Sequence, residues 1–298
     1  PAQPSVEYPL NTAELDQDEQ ALQQVLQSAK SQRVPTMTQL VDLIAINELL
    51  GTVESSGDGK NANLVAQLET ESLAAKAAEF KTTNNDDTIG WIRIPNTNVD
   101  YPVVYKAGVE NYAYYESKGY DKQYSKDGVI WADYECTFPE LSQNTTLYGH
   151  NWHNIYTPRT QANMQANDLM FSLVMSYNYT DFAQENPFVY FSTTEQDYVF
   201  QVFASYYTDL NFGYNYAQMS QEDFQKVIAE AKAKSLSNYN VPVTSEDKIV
   251  TLSTCTRVHG NTNNQRFVVM AKLVPVGTPS TTISTHSNPI AYNSSIDA

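Results

Sequence analysis

Beginning at position 88 the chain gives up helical spacing and becomes a succession of short β-type runs separated by turn residues, and that change of period limits the fold more than any other feature. Eight runs qualify, at 89–94, 99–104, 128–132, 145–148, 188–192, 198–206, 249–254 and 267–274. Runs of this length and number imply a sandwich or a barrel, and eight strands suffice to close a small barrel. Two helical intervals interrupt them, at 167–177 and at 220–234. In the second, Ser220 and Asp223 form a capping pair, and Phe224, Val227, Ile228 and Ala231 make one apolar face. Gln221, Gln225 and Lys232 are then expected toward solvent.

Upstream the period is helical. Leu22, Val25, Leu26 and Ala29 recur on one helix face. Pro35, Thr36 and Gln39 announce a second helix through Leu40, Leu43, Ile44 and Leu50. After a break at 51–59, a third helix is expected over 64–80 through Leu68, Leu73 and Ala77. The organisation that follows is a helical region at 1–85, a β-domain at 86–275 and, at 276–298, a Ser/Thr/Asn/Pro-rich tail expected to be exposed and mobile.

Charge narrows the partners. Thirty-four acidic residues against eighteen basic ones give a net charge of -16, which opposes binding to nucleic acid and anionic lipid and favours peptides or wall polymers. The chain has no run near the roughly 20 apolar residues that cross a bilayer. Its start at Pro1 suggests processing or truncation. Twenty-one Tyr, abundant Asn, Thr and Ser, and only two Cys read as an exported β-rich protein without a disulfide framework. A Cys136–Cys255 pair is arithmetically possible, but it would consume the thiol on which the chemistry depends.

That chemistry centres on Thr251-Leu252-Ser253-Thr254-Cys255, a β-type run ending in a thiol, with Arg266 opening the next run. If the two runs form a hairpin, Cys255 and Arg266 face each other about 5 Å apart at Cα. His150 ends the run at 145–148 in Tyr148-Gly149-His150. Were that run a parallel neighbour of the cysteine run, His150 and Cys255 would share one end of the barrel, the chain between them serving as the long crossover that parallel pairing needs. A thiolate nucleophile, an imidazolium that stabilises it and protonates a leaving amine, and a guanidinium that donates to an oxyanion make a set for acyl transfer. His259 is the rival base. His150 and His153 have ligand-like spacing, yet nothing nearby completes a zinc set. Cys136 reads as a buried structural thiol.

Taken together, the cysteine run, Tyr148-Gly149-His150, the pair of segments Gly90-Trp91-Ile92-Arg93-Ile94-Pro95 and Val99-Asp100-Tyr101-Pro102-Val103-Val104, and Phe212-Gly213-Tyr214 resemble the sortases of class B across 86–275. The resemblance implies an eight-stranded sortase-type barrel with a long helix between strands six and seven, which forms a wall of the peptide groove. It implies His150, Cys255 and Arg266 as catalytic residues, Ser253 and Thr254 as substrate contacts, and no metal or cofactor. The implied reaction is cleavage of a surface-protein or pilin sorting signal, of Asn-Pro-x-Thr type, through a thioacyl enzyme. An amine of a peptidoglycan precursor or of a pilin Lys then resolves that intermediate, and the residues do not choose between the two. The family also implies the outer face of a Gram-positive cell membrane and an N-terminal anchor lying outside this chain. Asn288-Pro289-Ile290-Ala291 is faintly similar to such a signal, but Ala291 replaces its Thr. A papain-like hydrolase would place the Cys before the His and at a helix start; a non-enzymatic surface adhesin would account for the acidic, Tyr-rich β-domain without chemistry.

Overall fold

The computed structural model describes residues 64–290, so the helices expected at 22–50 lie outside the described residues. Within them, strands follow in chain order as β1 (Thr88–Arg93), β2 (Asp100–Val104), β3 (Ile130–Ala132), β4 (Asn144–Tyr148), β5 (Phe188–Thr193), β6 (Val199–Asp209), β7 (Ser237–Asn238), β8 (Ile249–Cys255), β9 (Gln265–Val274) and β10 (Ser284–Thr285). All but the short β7 and β10 close into one barrel in the order β1-β2-β3-β4-β8-β9-β6-β5. The β2–β3 and β4–β8 pairs are parallel and every other pair in the barrel is antiparallel. Ile92, Val103, Leu147, Phe191, Leu252 and Val269 fill its interior.

Alternation is only partial in β1, where Gly90, Trp91 and Ile92 are buried in succession, and vanishes in β6 and β8, which are buried almost end to end. Both faces of these strands are covered. The helix Gln221–Lys234 packs on β6, and a run of 3-10 turns at Ser172–Asn178 lies over β6, β8 and β9. Such double-sided burial is why these stretches read as near-continuous apolar or small-polar runs.

Among the described residues, three α-helices accompany the barrel: α1 (Leu73–Thr83), α2 (Thr180–Glu185) and α3 (Gln221–Lys234). The helix expected over 64–80 begins nine residues later, at Leu73. Ser72 caps it, and Asp197, from the β5–β6 turn, accepts from Ser72 Oγ at 2.6 Å and from Ala74 N at 2.8 Å. A carboxylate on the first free N–H groups fixes where the helix starts. Residues 64–66 instead pair with the chain after β9, Ala66 N donating to Thr278 O at 2.8 Å. The interval expected as a helix at 167–177 is 3-10 turn over Ser172–Asn178, followed by α2.

In α3, Ser220 Oγ accepts from Asp223 N at 3.1 Å, and Phe224, Ile228 and Ala231 are buried on the barrel. Lys232 departs from its expected solvent position: it is half-buried, and its Nζ donates to Val241 O at 2.7 Å. The stem packs while the ammonium finds a carbonyl.

The tail also differs from expectation as far as residue 290. Its β10 pairs antiparallel with β7, Ile283 is buried, and His286 N and Ile290 N donate to Leu236 O and Ala233 O, each at 3.0 Å. A composition poor in apolar residues signals mobility only when the backbone lacks partners, and here the end of α3 supplies them.

Candidate active site

Parallel pairing of β4 and β8 sets Tyr148 beside Ser253, and Gly149 N continues the ladder to Ser253 O at 3.3 Å. Two residues beyond that pair on each strand come His150 and Cys255, so both emerge at the same level of the barrel rim. The antiparallel β8–β9 ladder pairs Cys255 with Arg266 directly. Thr254 Oγ1 donates to Gly149 O at 2.7 Å, tying the two strand ends just below the rim. All three side chains line one cavity of about 290 Å³, together with Ser253, Thr254, Glu116, Asp133, Tyr148, Tyr214 and Asn215.

Each side chain is held differently. Cys255 is half-buried, and its carbonyl accepts from Asn151 Nδ2 at 3.3 Å. Arg266 Nη1 donates to Asn263 O and Gln265 O, each at 2.9 Å, which anchors one arm of the guanidinium to the β8–β9 loop. His150 stacks on Trp152 at 5.0 Å between ring centroids and has Trp131 at 5.6 Å, while its Nε2 lies 2.5 Å from Glu116 O. The imidazole is thus held by Trp152 on one face, by the tilted Trp131 ring and at one nitrogen.

Ser253 and Thr254 line the cavity, but both are buried and their hydroxyls are already bonded. Ser253 Oγ lies 2.8 Å from Tyr214 OH, and Thr254 bonds Gly149. His259 is outside the cavity wall, its ring edge-on to Tyr207 at 4.8 Å, and burial lowers its basicity. His153 is exposed and also outside the wall. Cys136 is buried beneath β3 and β4, where desolvation pushes its thiol up to about 12; neither cysteine is in a disulfide.

Sequence reasoning missed the floor of the cavity. Asp133 Oδ2 accepts from Tyr148 OH at 2.7 Å, and Tyr148 OH accepts from Asn215 Nδ2 at 3.0 Å. Burial raises the Asp133 carboxyl above its ordinary value, against the hydrogen bonds from Glu135 N–H and Tyr148. Asn144 Nδ2 holds the same loop from below through Tyr214 O at 2.8 Å. The signal available in the sequence was slight: a lone carboxylate two residues after Trp131, facing a Tyr two residues before His150.

A family model described as the sortase domain matches residues 92–274. The chain is 30% identical over 193 residues to "Sortase B" of Staphylococcus aureus (strain NCTC 8325 / PS 47), covering 64% of this chain and 72% of that protein. It is 29% identical over 191 residues to "Sortase B" of Listeria monocytogenes serovar 1/2a (strain ATCC BAA-679 / EGD-e), covering 64% and 71%. In three dimensions it is similar to a Staphylococcus aureus sortase B-substrate complex, with a TM-score of 0.57 and 27% identity over 70% of this chain and 88% of that one.

Proposed function

This chain belongs to the sortase family as a class B-like cysteine transpeptidase, and on that premise we propose that it cuts a C-terminal sorting signal of Asn-Pro-x-Thr type and transfers the acyl group to a peptidoglycan amine at a Gram-positive cell surface. The observation that carries the assignment of residues is the double register. The β4–β8 pairing levels His150 with Cys255, and the β8–β9 pairing sets Arg266 across from Cys255.

The reaction follows from these positions. The Cys255 thiolate adds to the carbonyl carbon of the signal's Thr, and the oxyanion that forms accepts hydrogen bonds from Arg266. As the C–N bond breaks, the imidazolium of His150 gives its proton to the departing amine, leaving a thioacyl enzyme and a neutral ring. An incoming amine then adds to the thioester, His150 takes its proton, and Cys255 leaves as thiolate. Water in place of the amine gives hydrolysis. Leu210, Tyr214 and Asn215, on the loop between β6 and α3, form one wall of the peptide groove, and Tyr112 and Glu116 form another.

Mass spectrometry of the protein with Asn-Pro-x-Thr peptides tests the reading. A thioacyl adduct on Cys255 and a transpeptidation product with an added cell-wall-type amine are expected. Acceptance of a pilin Lys peptide in preference to that amine would redirect the proposal to pilus assembly, and no adduct with any signal peptide would reject it.

A further inference from the structure

We infer that the Glu116 carbonyl holds a proton on Nε2 of His150, which makes Nδ1 the nitrogen that exchanges protons during acyl transfer. The inference rests on the transpeptidase reading and adds the atom and the element that enforces it.

A backbone carbonyl can only accept, so a contact of 2.5 Å between Glu116 O and His150 Nε2 requires that nitrogen to carry hydrogen. A neutral imidazole has one donor nitrogen, and fixing it on one side leaves the other as the acceptor. Nδ1 has no hydrogen-bond partner among the described residues.

Gly128 gives an independent indication of the ring's orientation. Its φ is +60°, and a Cβ there would lie 2.8 Å from His150 Cδ2, 3.1 Å from Nε2 and 3.1 Å from Glu116 O. The Cδ2–Nε2 edge is therefore pressed against the backbone of the β2–β3 connection, at its two ends near Glu116 and Gly128. Nδ1, across the ring from that edge, is turned away from this backbone. Trp152 and Trp131 flank the ring and oppose a flip that would put Cε1 in place of Nε2 and Nδ1 in place of Cδ2.

The proton balance is then explicit. With both nitrogens protonated, Nδ1–H passes its proton to the departing amine as the C–N bond breaks, while Nε2–H stays on the Glu116 carbonyl. The incoming amine later returns a proton to Nδ1, and the ring never has to change tautomer. The β2–β3 connection acts as a positioning element for the acid–base group.

Replacement of His150 by Nδ1-methylhistidine, introduced into the full chain by codon suppression, tests the assignment. Transpeptidation of a sorting peptide should fall by about 10² or more, toward the level of His150→Ala, as expected for loss of a general acid–base group. Turnover within about threefold of wild type would overturn it. Long-range proton–nitrogen NMR of histidine-labelled protein gives a readout that does not depend on activity, with the His150 signals identified by their loss in His150→Asn. Above the imidazole titration, hydrogen is expected on Nε2 and not on Nδ1, and Gly128→Ala should shift the ring toward a mixture of tautomers. Hydrogen on Nδ1 in the native protein would refute the inference. A His150→Ala protein of full activity would instead refute the transpeptidase reading, with the tautomer still decided by the spectra.

Discussion

Replacing Arg266 by Lys keeps the charge and removes the geometry. The guanidinium spends Nη1 on Asn263 O and Gln265 O, while Nη2 and Nε have no hydrogen-bond partner among the described residues and can meet an oxyanion beside Cys255. A lysine ammonium is a point donor on a flexible stem and cannot hold two loop carbonyls while presenting a second, fixed donor to the intermediate. Loss of one oxyanion donor costs about 10²–10³ in rate, or roughly 3–4 kcal/mol of transition-state stabilisation. Arg266→Lys should therefore lower the single-turnover rate of thioacyl formation by at least about 10², with KM for the peptide changed by less than about threefold because the ground-state carbonyl is not yet charged. The assay is quenched-flow acylation followed by intact-mass spectrometry, with alkylation of Cys255 as the control that the thiol remains reachable. A rate within about threefold of wild type would refute the role given to the guanidinium.

Cys255→Ala should abolish cleavage with the barrel intact. In native wild-type protein at pH 8 an alkylating reagent should modify Cys255 and spare Cys136: a thiol pushed up to about 12 is ionised to only about one part in 10⁴ there. Peptide mapping reads the sites, and equal labelling would contradict the burial of Cys136. The folded state favours the protonated Asp133 carboxyl, so its contribution is fully present below the unfolded value near 3.8 and is lost as pH rises through the higher folded value. Thermal melts of wild type and Asp133→Asn, compared across that range, should show the variant gaining relative to wild type as pH rises. An unchanged difference would place Asp133 outside the desolvated floor. Exchanging segment 211–243 for that of a sortase with another signal should alter peptide preference while thioacyl hydrolysis persists; unchanged preference would reduce α3 to a cover for the barrel.

The β-rich character of the domain and its eight barrel strands were legible in the sequence because they depend on local pattern, and the candidate residues His150, Cys255 and Arg266 were nominated by the motifs that resemble the sortases. Strand-length runs between turn residues mark a sheet, and a reactive thiol at a strand end with a facing guanidinium constrains a hairpin on its own. What escaped the sequence was decided by partners far along the chain. The start of α1 was misplaced because Asp197, 125 residues from Ser72, supplies the cap. The tail was read as mobile because its composition is polar, whereas β7 and the end of α3 accept its backbone hydrogen bonds as far as residue 290.

The same division runs through the site. Sequence alone nominated the residues proposed to carry the chemistry and the strand ends that bear them. Only the closed barrel decided that His150 and Cys255 stand level, because a parallel register is fixed by side-chain packing over the whole ladder and not by either strand. It also decided that His259 faces Tyr207 outside the cavity while the Glu116 carbonyl reaches His150, and that Asp133, Tyr148 and Asn215 meet in the wall of the cavity that Cys255 lines. These contacts join segments whose sequences carry no trace of one another, since a backbone carbonyl or a half-buried carboxylate acquires its role only from what the fold sets against it.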